Sequence, residues 1–184
     1  FASKNNHIEI VKYLVEKCHA NVEAKTEIDG WTPIHIASFN GKIHVVKYLF
    51  EECNANTEAV TNYGWTPLHY ASSNGHIEVV KYLFKQCRAN VEAKTNYGWT
   101  PLHYASSKVQ IEVLKYLVEQ CHANVEAKDN DGWTPLHYAS SNGHIEVVKY
   151  LFEHCHVNVE AKNNVGRTPL HYASENRHIE IVKY

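Results

Sequence analysis

Fourteen histidines and five cysteines in 184 residues are the side chains with which this chain could hold a metal or move a proton. His35, His69, His103, His137 and His171 each close a Thr-Pro-(Leu/Ile)-His tetrad, and His7, His44, His76, His144 and His178 open or enter the segment that follows. His154-Cys155-His156 is the one local cluster of soft ligands. A zinc site wants four converging donors, and alternate neighbours on a single turn do not converge, so no metal site is expected. No Ser/His/Asp set stands at a privileged place, because whatever one unit builds recurs in the next, whereas active sites break symmetry. The eight glycines sit singly at turns, leaving no phosphate-binding loop, and Glu51-Glu52 reads as a solvated helix end. The expectation is a chain without catalytic residues or cofactor.

The cysteines carry the same period. Cys18, Cys53, Cys87, Cys121 and Cys155 are spaced 35, 34, 34 and 34. Stacked helix layers would hold neighbouring cysteines about 8–10 Å apart, beyond the ~7 Å between Cα atoms that a disulfide tolerates. Free thiols in a reducing compartment, cytoplasm or nucleus, are therefore expected. Lys plus Arg is 18 against 20 for Asp plus Glu, a formal charge of −2. That balance offers neither the clustered basic face that nucleic acid calls for nor a polybasic membrane patch. No apolar run approaches the ~20 residues of a membrane helix, and nothing at Phe1 resembles a signal peptide. A soluble protein is expected.

What must position any site is the repeat. Thr32, Thr66, Thr100, Thr134 and Thr168 open their tetrads at a constant spacing of 34, and self-similarity at such a period is the signature of a stacked array. One array over 1–184 is expected, with full repeats at 30–63, 64–97, 98–131 and 132–165 and partial ones at 1–29 and 166–184. In each, Thr is the N-cap and Pro the first helical residue, and Asn-Gly, as at Asn142-Gly143, ends the first helix. A second helix follows, with Ile145, Val148, Leu151 and Phe152 as its apolar stripe. Phe1-Ala2-Ser3 should lie inside a first helix and Tyr184 inside a second. So short a helix pair buries its stripe only by stacking on copies of itself.

The pattern D-x-x-G-x-T-P-L-H-x-A-x-x-x-G-H-x-x-V-V-x-x-L resembles the ankyrin repeat over the whole chain. The resemblance implies an all-α solenoid of stacked helix-turn-helix units, with hairpin-like finger loops beside a concave groove. It also implies that the tetrad imidazoles hydrogen-bond within and between repeats. Two departures matter. The period is 34 rather than the family's 33, and Cys121-His122-Ala123-Asn124 stands where the family tends to have Gly-Ala-Asp, so the second helix should be prolonged or closed differently. Lys108-Val109-Gln110 replaces Asn-Gly-His, and a β-branched Val is a poor left-handed residue, so that turn should be reshaped or strained; Asn6 at the same position is tolerable, Arg177 less so.

By resemblance, partner contacts come from the residue between Gly and Thr, the finger tips and the pair before the inter-helix Gly. These are Trp31, Trp65, Trp99, Trp133 and Arg167; Asp29, Tyr63, Tyr97, Asp131 and Val165; and Phe39-Asn40, Ser73-Asn74, Ser107-Lys108, Ser141-Asn142 and Glu175-Asn176. Tyr70, Tyr104, Tyr138 and Tyr172 follow the tetrad His, with Ile36 in the matching slot. Two readings of this aromatic strip stand side by side: a groove floor made of residue types over-represented in binding hot spots, or a ladder that packs along the stack and stiffens it. Arg167 argues that its slot is not fully buried. Uniformity directs the search for specificity to the irregular units, around Ile36 and Phe39, Lys108-Val109-Gln110, and Arg167 with Glu175 and Arg177.

The expected function is non-catalytic binding of a protein partner through the concave face and fingers, with no nucleic acid or membrane involved. A spacer scaffold in a longer array, or the regulatory array of a larger enzyme or channel, are the alternatives. Because the chain starts and stops in mid-repeat with its ordinary apolar pattern, it is expected to be a slice of a longer array whose bare ends stack on other copies.

Overall fold

The computed structural model describes residues 7–184. The reading of Phe1-Ala2-Ser3, and that of Asn6, lie outside the described residues. Among them the backbone forms eleven α-helices and no strand. The chain divides into two compact units, residues 1–90 and 91–184. The first holds α1 (Ile8–Glu16), α2 (Pro33–Phe39), α3 (Ile43–Glu51), α4 (Pro67–Ser73) and α5 (Ile77–Lys85). The second holds α6 (Pro101–Ser107), α7 (Ile111–Glu119), α8 (Pro135–Ser141), α9 (Ile145–Cys155), α10 (Pro169–Glu175) and α11 (Ile179–Lys183). Tyr184 continues the helical bonding of α11, its N–H donating to Glu180 O at 3.2 Å.

Each first helix starts where the tetrad requires. Thr66 is the N-cap, in extended conformation, and Pro67 follows it. The Glu of an ordinary capping box is replaced by His69, whose Nδ1 accepts the Thr66 backbone N–H at 3.1 Å. The helix stops at Asn74, and the following turn returns the His76 N–H to the Ala71 carbonyl at 3.0 Å. Gly41 takes this turn at φ +66°, and a Cβ there would come within 2.6 Å of the His76 ring. Val109 and Arg177 occupy the same place at φ +57° and +60°, with the equivalent bonds intact (Gln110 N–H to Ala105 O, 2.9 Å; His178 N–H to Ala173 O, 2.8 Å). The Val109 turn is thus strained, not reshaped.

Second helices end on a left-handed residue that is not glycine: His19, Asn54, Arg88, His122 and His156 lie at φ +51° to +55°. After the first four of these the next N–H reaches back six residues, as from Ala89 to Leu83 O (3.0 Å) and from Ala123 to Leu117 O (2.9 Å), one residue further than the Schellman closure that glycine usually serves. The extra residue of the 34-residue period is absorbed here, and α9 runs on to Cys155.

Within each unit first helices pack on first helices, and second helices on their own first helix. Ile34, Leu49, Leu68 and Leu83 in one unit, and Leu102, Leu114, Leu117 and Leu151 in the other, are under 2% exposed; each such side chain contributes about 1.5–3 kcal/mol by leaving water. The stripe read from the sequence needs correction. The buried face of α9 is Val147, Val148, Tyr150 and Leu151, while Phe152 is 46% exposed. A second helix has neighbours on two sides, so its apolar face is wider than one stripe. Tyr150 shows the lateral side: its hydroxyl donates to Glu119 at 2.8 Å and its ring lies 5.5 Å from the Lys115 ammonium. Tyr82, with Glu51 (2.7 Å) and Lys47 (5.5 Å), repeats the arrangement.

Candidate functional site: the tryptophan strip and its fingers

The tetrad histidines place the tryptophans. His35 is fully buried, and its Nδ1 accepts the Thr32 N–H at 3.1 Å. Its proton therefore sits on Nε2, which donates to Ala59 O (2.8 Å) and Trp65 O (3.1 Å). His103 holds Trp133 O at 3.1 Å and His137 holds Arg167 O at 3.2 Å in the same way. Each of these three imidazoles thus anchors the backbone of the next slot. Burial pushes the His35 and His103 rings down to about 4, against the raising effect of the carbonyls they bond, so they are neutral hydrogen-bonding hubs at neutral pH.

A second anchor grips each slot from within its own finger. The Trp65 N–H donates to Thr61 Oγ1 at 3.1 Å, Trp99 to Thr95 Oγ1 at 3.2 Å, Trp31 to Thr26 Oγ1 at 2.9 Å, Trp133 to Asp129 Oδ1 at 2.8 Å, and Arg167 to Asn163 Oδ1 at 2.9 Å. Asp129 also accepts the Asp131 N–H (2.9 Å) and, on its other oxygen, the Tyr138 hydroxyl. Asn163 donates to the Tyr172 hydroxyl at 2.8 Å. Sequence reasoning missed this latch; its signal was a Thr, Asp or Asn four or five residues before every slot.

The fingers are narrow turns closed by the slot backbone, as in Thr61 N–H to Trp65 O and Gly64 N–H to Thr61 O, both 3.0 Å. Adjacent fingers are tied by asparagine: Asn62 donates its backbone N–H to Asp29 O (3.0 Å) and its side chain to Ile28 O (2.9 Å). Asn164 does the same with Asp131 O and Asn130 O. In the first finger Gly30 N–H reaches Thr26 O at 3.0 Å, which accommodates one more residue and leaves Ile28 82% exposed.

The rings form an alternating stack. In the first unit Tyr70, 6% exposed, lies between Trp31 (centroids 4.4 Å apart) and Trp65 (4.6 Å), with Phe39 5.3 Å from Trp31. In the second, Trp99 contacts Tyr104 (4.7 Å) and Tyr138 (4.0 Å), and Trp133 contacts Tyr138 (4.8 Å) and Tyr172 (4.1 Å). Arg167 takes the next slot, with its guanidinium 5.6 Å from the Tyr172 ring and 2.7 Å from Glu175. Burial, with a lesser contribution from Thr61 in the opposite sense, pushes the Tyr70 phenol up to about 12; burial and Asp129 raise that of Tyr138 further.

The tyrosines therefore stack against the tryptophans, and all four tryptophans remain half-buried. Tyr63 and Tyr97 stand exposed at finger tips (46% and 61%), Phe39 is 39% exposed, and Lys108 and Arg167 are exposed. Tyr104 is buried and Tyr138 half-buried, so these two, like Tyr70, support the strip rather than form its surface. All five cysteines are free thiols. Burial raises the Cys53, Cys87 and Cys155 thiols, Cys87 to about 12. Among the described residues no His, Cys, Asp and Glu side chains gather in a group that could hold a metal ion, and no helix is long and apolar enough to cross a membrane.

These units are ankyrin repeats by their capping, turns and stacking. The family model for ankyrin repeats, three copies long, matches residues 1–95, 53–129, 86–163 and 110–184, and the chain belongs to that family. Comparison with curated proteins gives no match. Ankyrin repeats are in general protein-interaction modules and typically not catalytic.

Proposed function

We propose that the chain is a non-catalytic protein-binding array. Its partner meets Trp31, Trp65, Trp99 and Trp133, the tips Tyr63 and Tyr97, and the flanking Phe39, Lys108 and Arg167. The observation that carries this reading is that the finger tips are exposed and the tryptophans half-buried, while the slot backbone is pinned by the finger's own Thr, Asp or Asn and, at Trp65, Trp133 and Arg167, also by the imidazole of the preceding repeat. Pre-organised aromatic side chains lose little freedom on binding. The stacking of tyrosine on tryptophan favours a stiffening role for Tyr70, Tyr104 and Tyr138, so the strip both packs and binds. Free thiols suit a reducing compartment, and we place the protein in the cytoplasm or nucleus on that ground.

The test compares capture from lysate by the native array, by a Tyr63→Ser, Tyr97→Ser variant and by a Trp65, Trp99 and Trp133→Arg variant, with helicity and melting measured for each. Arg167 is the precedent for the second variant. A protein held by the native array and lost from equally folded variants supports the reading. Equal capture by all three contradicts it and favours the spacer scaffold.

A further inference from the structure

The tryptophan slots recur at a distance that selects the shape of a ligand. In the second unit the Tyr138 ring lies 4.0 Å from Trp99 and 4.8 Å from Trp133, so the two indoles are at most about 9 Å apart. In the first unit Tyr70 stands between Trp31 and Trp65 at 4.4 and 4.6 Å, to the same effect. First helices packed on one another set such a repeat at roughly 8–10 Å. A ligand that meets consecutive slots must present one side chain at each interval. An extended strand shows side chains on one face every ~6.8 Å, and an α-helix at ~6 or ~10.5 Å, four or seven residues on. Polyproline II, with three residues per turn and a rise of ~3.1 Å, shows every third residue at ~9.3 Å. That interval is the nearest match.

Resting on the protein-binding reading above, we propose that the partner segment is proline-rich and in polyproline II conformation, with one proline on Trp99 and the third residue after it, again proline, on Trp133. A three-sided helix turns its two intervening residues toward the two walls of the strip. One wall is made by the finger tips, where Tyr97 and Asp131 are exposed. The other is the end of the first helix: Phe39 marks the position, 5.3 Å from Trp31, and in the Trp99 repeat it is Ser107, followed by Lys108. Asn40 and Asn74, the counterparts of Lys108, fold back onto their own helices at Ile36 O and Tyr70 O, both 2.8 Å. Lys108 is exposed instead, and among the described residues no carboxylate pairs with it. The floor is uncharged and this wall carries a cation, so the intervening residue on that side is acidic. Aromatic-lined grooves take polyproline II ligands because the ligand's conformation is set before binding. The slots are set as well, by the Trp99 N–H to Thr95 (3.2 Å) and the Trp133 N–H to Asp129 (2.8 Å).

The probe is an acetylated, amidated peptide of four Pro-Pro-Glu triplets, followed by the indole N–H signals of the ¹⁵N-labelled array. The Trp99 and Trp133 signals are expected to shift together and saturate. Four Gly-Gly-Glu triplets, equal in charge but without the fixed conformation, should bind about tenfold or more weakly. Gln for Glu in the peptide, or Lys108→Gln in the array, should each weaken binding about threefold, and the two together no further. Lys108 is exposed, so its variant keeps the fold. Equal binding of the glycine peptide, a shift at only one of the two indoles, or undiminished binding by Lys108→Gln overturns the proposal. A response to a helical leucine-rich peptide and none to the proline peptide identifies a helical partner and overturns it too. Such a result with strip-dependent capture from lysate retained rejects the proline ligand alone; loss of that capture rejects the broader reading.

Discussion

Replacing His122 by glycine should stabilise the protein, although nothing is added to the core. His122 sits at φ +55° with its side chain exposed, and it closes α7 through the Ala123 N–H to Leu117 O bond. An L-residue held left-handed costs about 1–2 kcal/mol. Glycine removes that cost but returns roughly 0.5–1 kcal/mol of chain entropy to the unfolded state. The net gain is about 0.5–1 kcal/mol. His156 (φ +51°) follows α9 in the same left-handed conformation and is also exposed. The His122→Gly, His156→Gly variant should then gain roughly 1–2 kcal/mol and melt about 3–6 °C higher, at 2–4 °C per kcal/mol for a chain of this size. Urea unfolding followed by circular dichroism reads the change. His122→Ala is the control, because it keeps the left-handed strain and should stay near the native value. If alanine stabilises as much as glycine, or glycine destabilises, the strain at these closures is not what limits them.

Further outcomes follow from the anchors. His35 and His103 titrate near 4 when folded and near 6.5 when unfolded, so the unfolded chain takes up protons first as pH falls. Stability is therefore whole above 6.5 and is lost between 6.5 and 4, by roughly 2 kcal/mol per ring at pH 5; denaturation midpoints equal at pH 7.5 and 5 would refute this. Gly41→Ala forces a Cβ to 2.6 Å from the His76 ring at φ +66°, and should cost about 2–3 kcal/mol in urea unfolding from backbone strain and the lost His76 bond to Phe39 O. Asp129→Ala strands the N–H groups of Asp131 and Trp133 and the Tyr138 hydroxyl, for about 2–3 kcal/mol; Asp129→Thr, the residue at Thr61 and Thr95, should restore most of it by the same measurement.

Much of the fold was legible because the tetrad is a local device. Thr as cap, Pro at the first helical position and Asn-Gly at the stop act within a dozen residues, so Thr134 and Asn142 could be assigned to the ends of α8 before any packing was known. The Ile145–Phe152 stripe failed because helical periodicity describes one contact face, while α9 is covered on two and leaves Phe152 at the edge. At Val109 the sequence showed a conflict, not its resolution: the Gln110 N–H to Ala105 O bond that spans it outweighs one residue's preference, and the backbone keeps the left-handed turn. The strip was half legible. Trp and Tyr five residues apart announced a ladder, and Arg167 announced an open slot, but which ring covers which face depends on stacking between repeats. The finger latch escaped because Thr, Asp and Asn share an acceptor and not a name; Thr95, Asp129 and Asn163 do one job with three side chains.

Hydrogen exchange of the array with and without a protein it captures tests the binding account most directly. Protection should fall on the fingers at 26–31, 61–65, 95–99 and 129–133 and on the ends of α2 and α6 near Phe39 and Lys108. Protection confined to the exposed sides of α3, α5, α7 and α9, with the fingers unchanged, would contradict it.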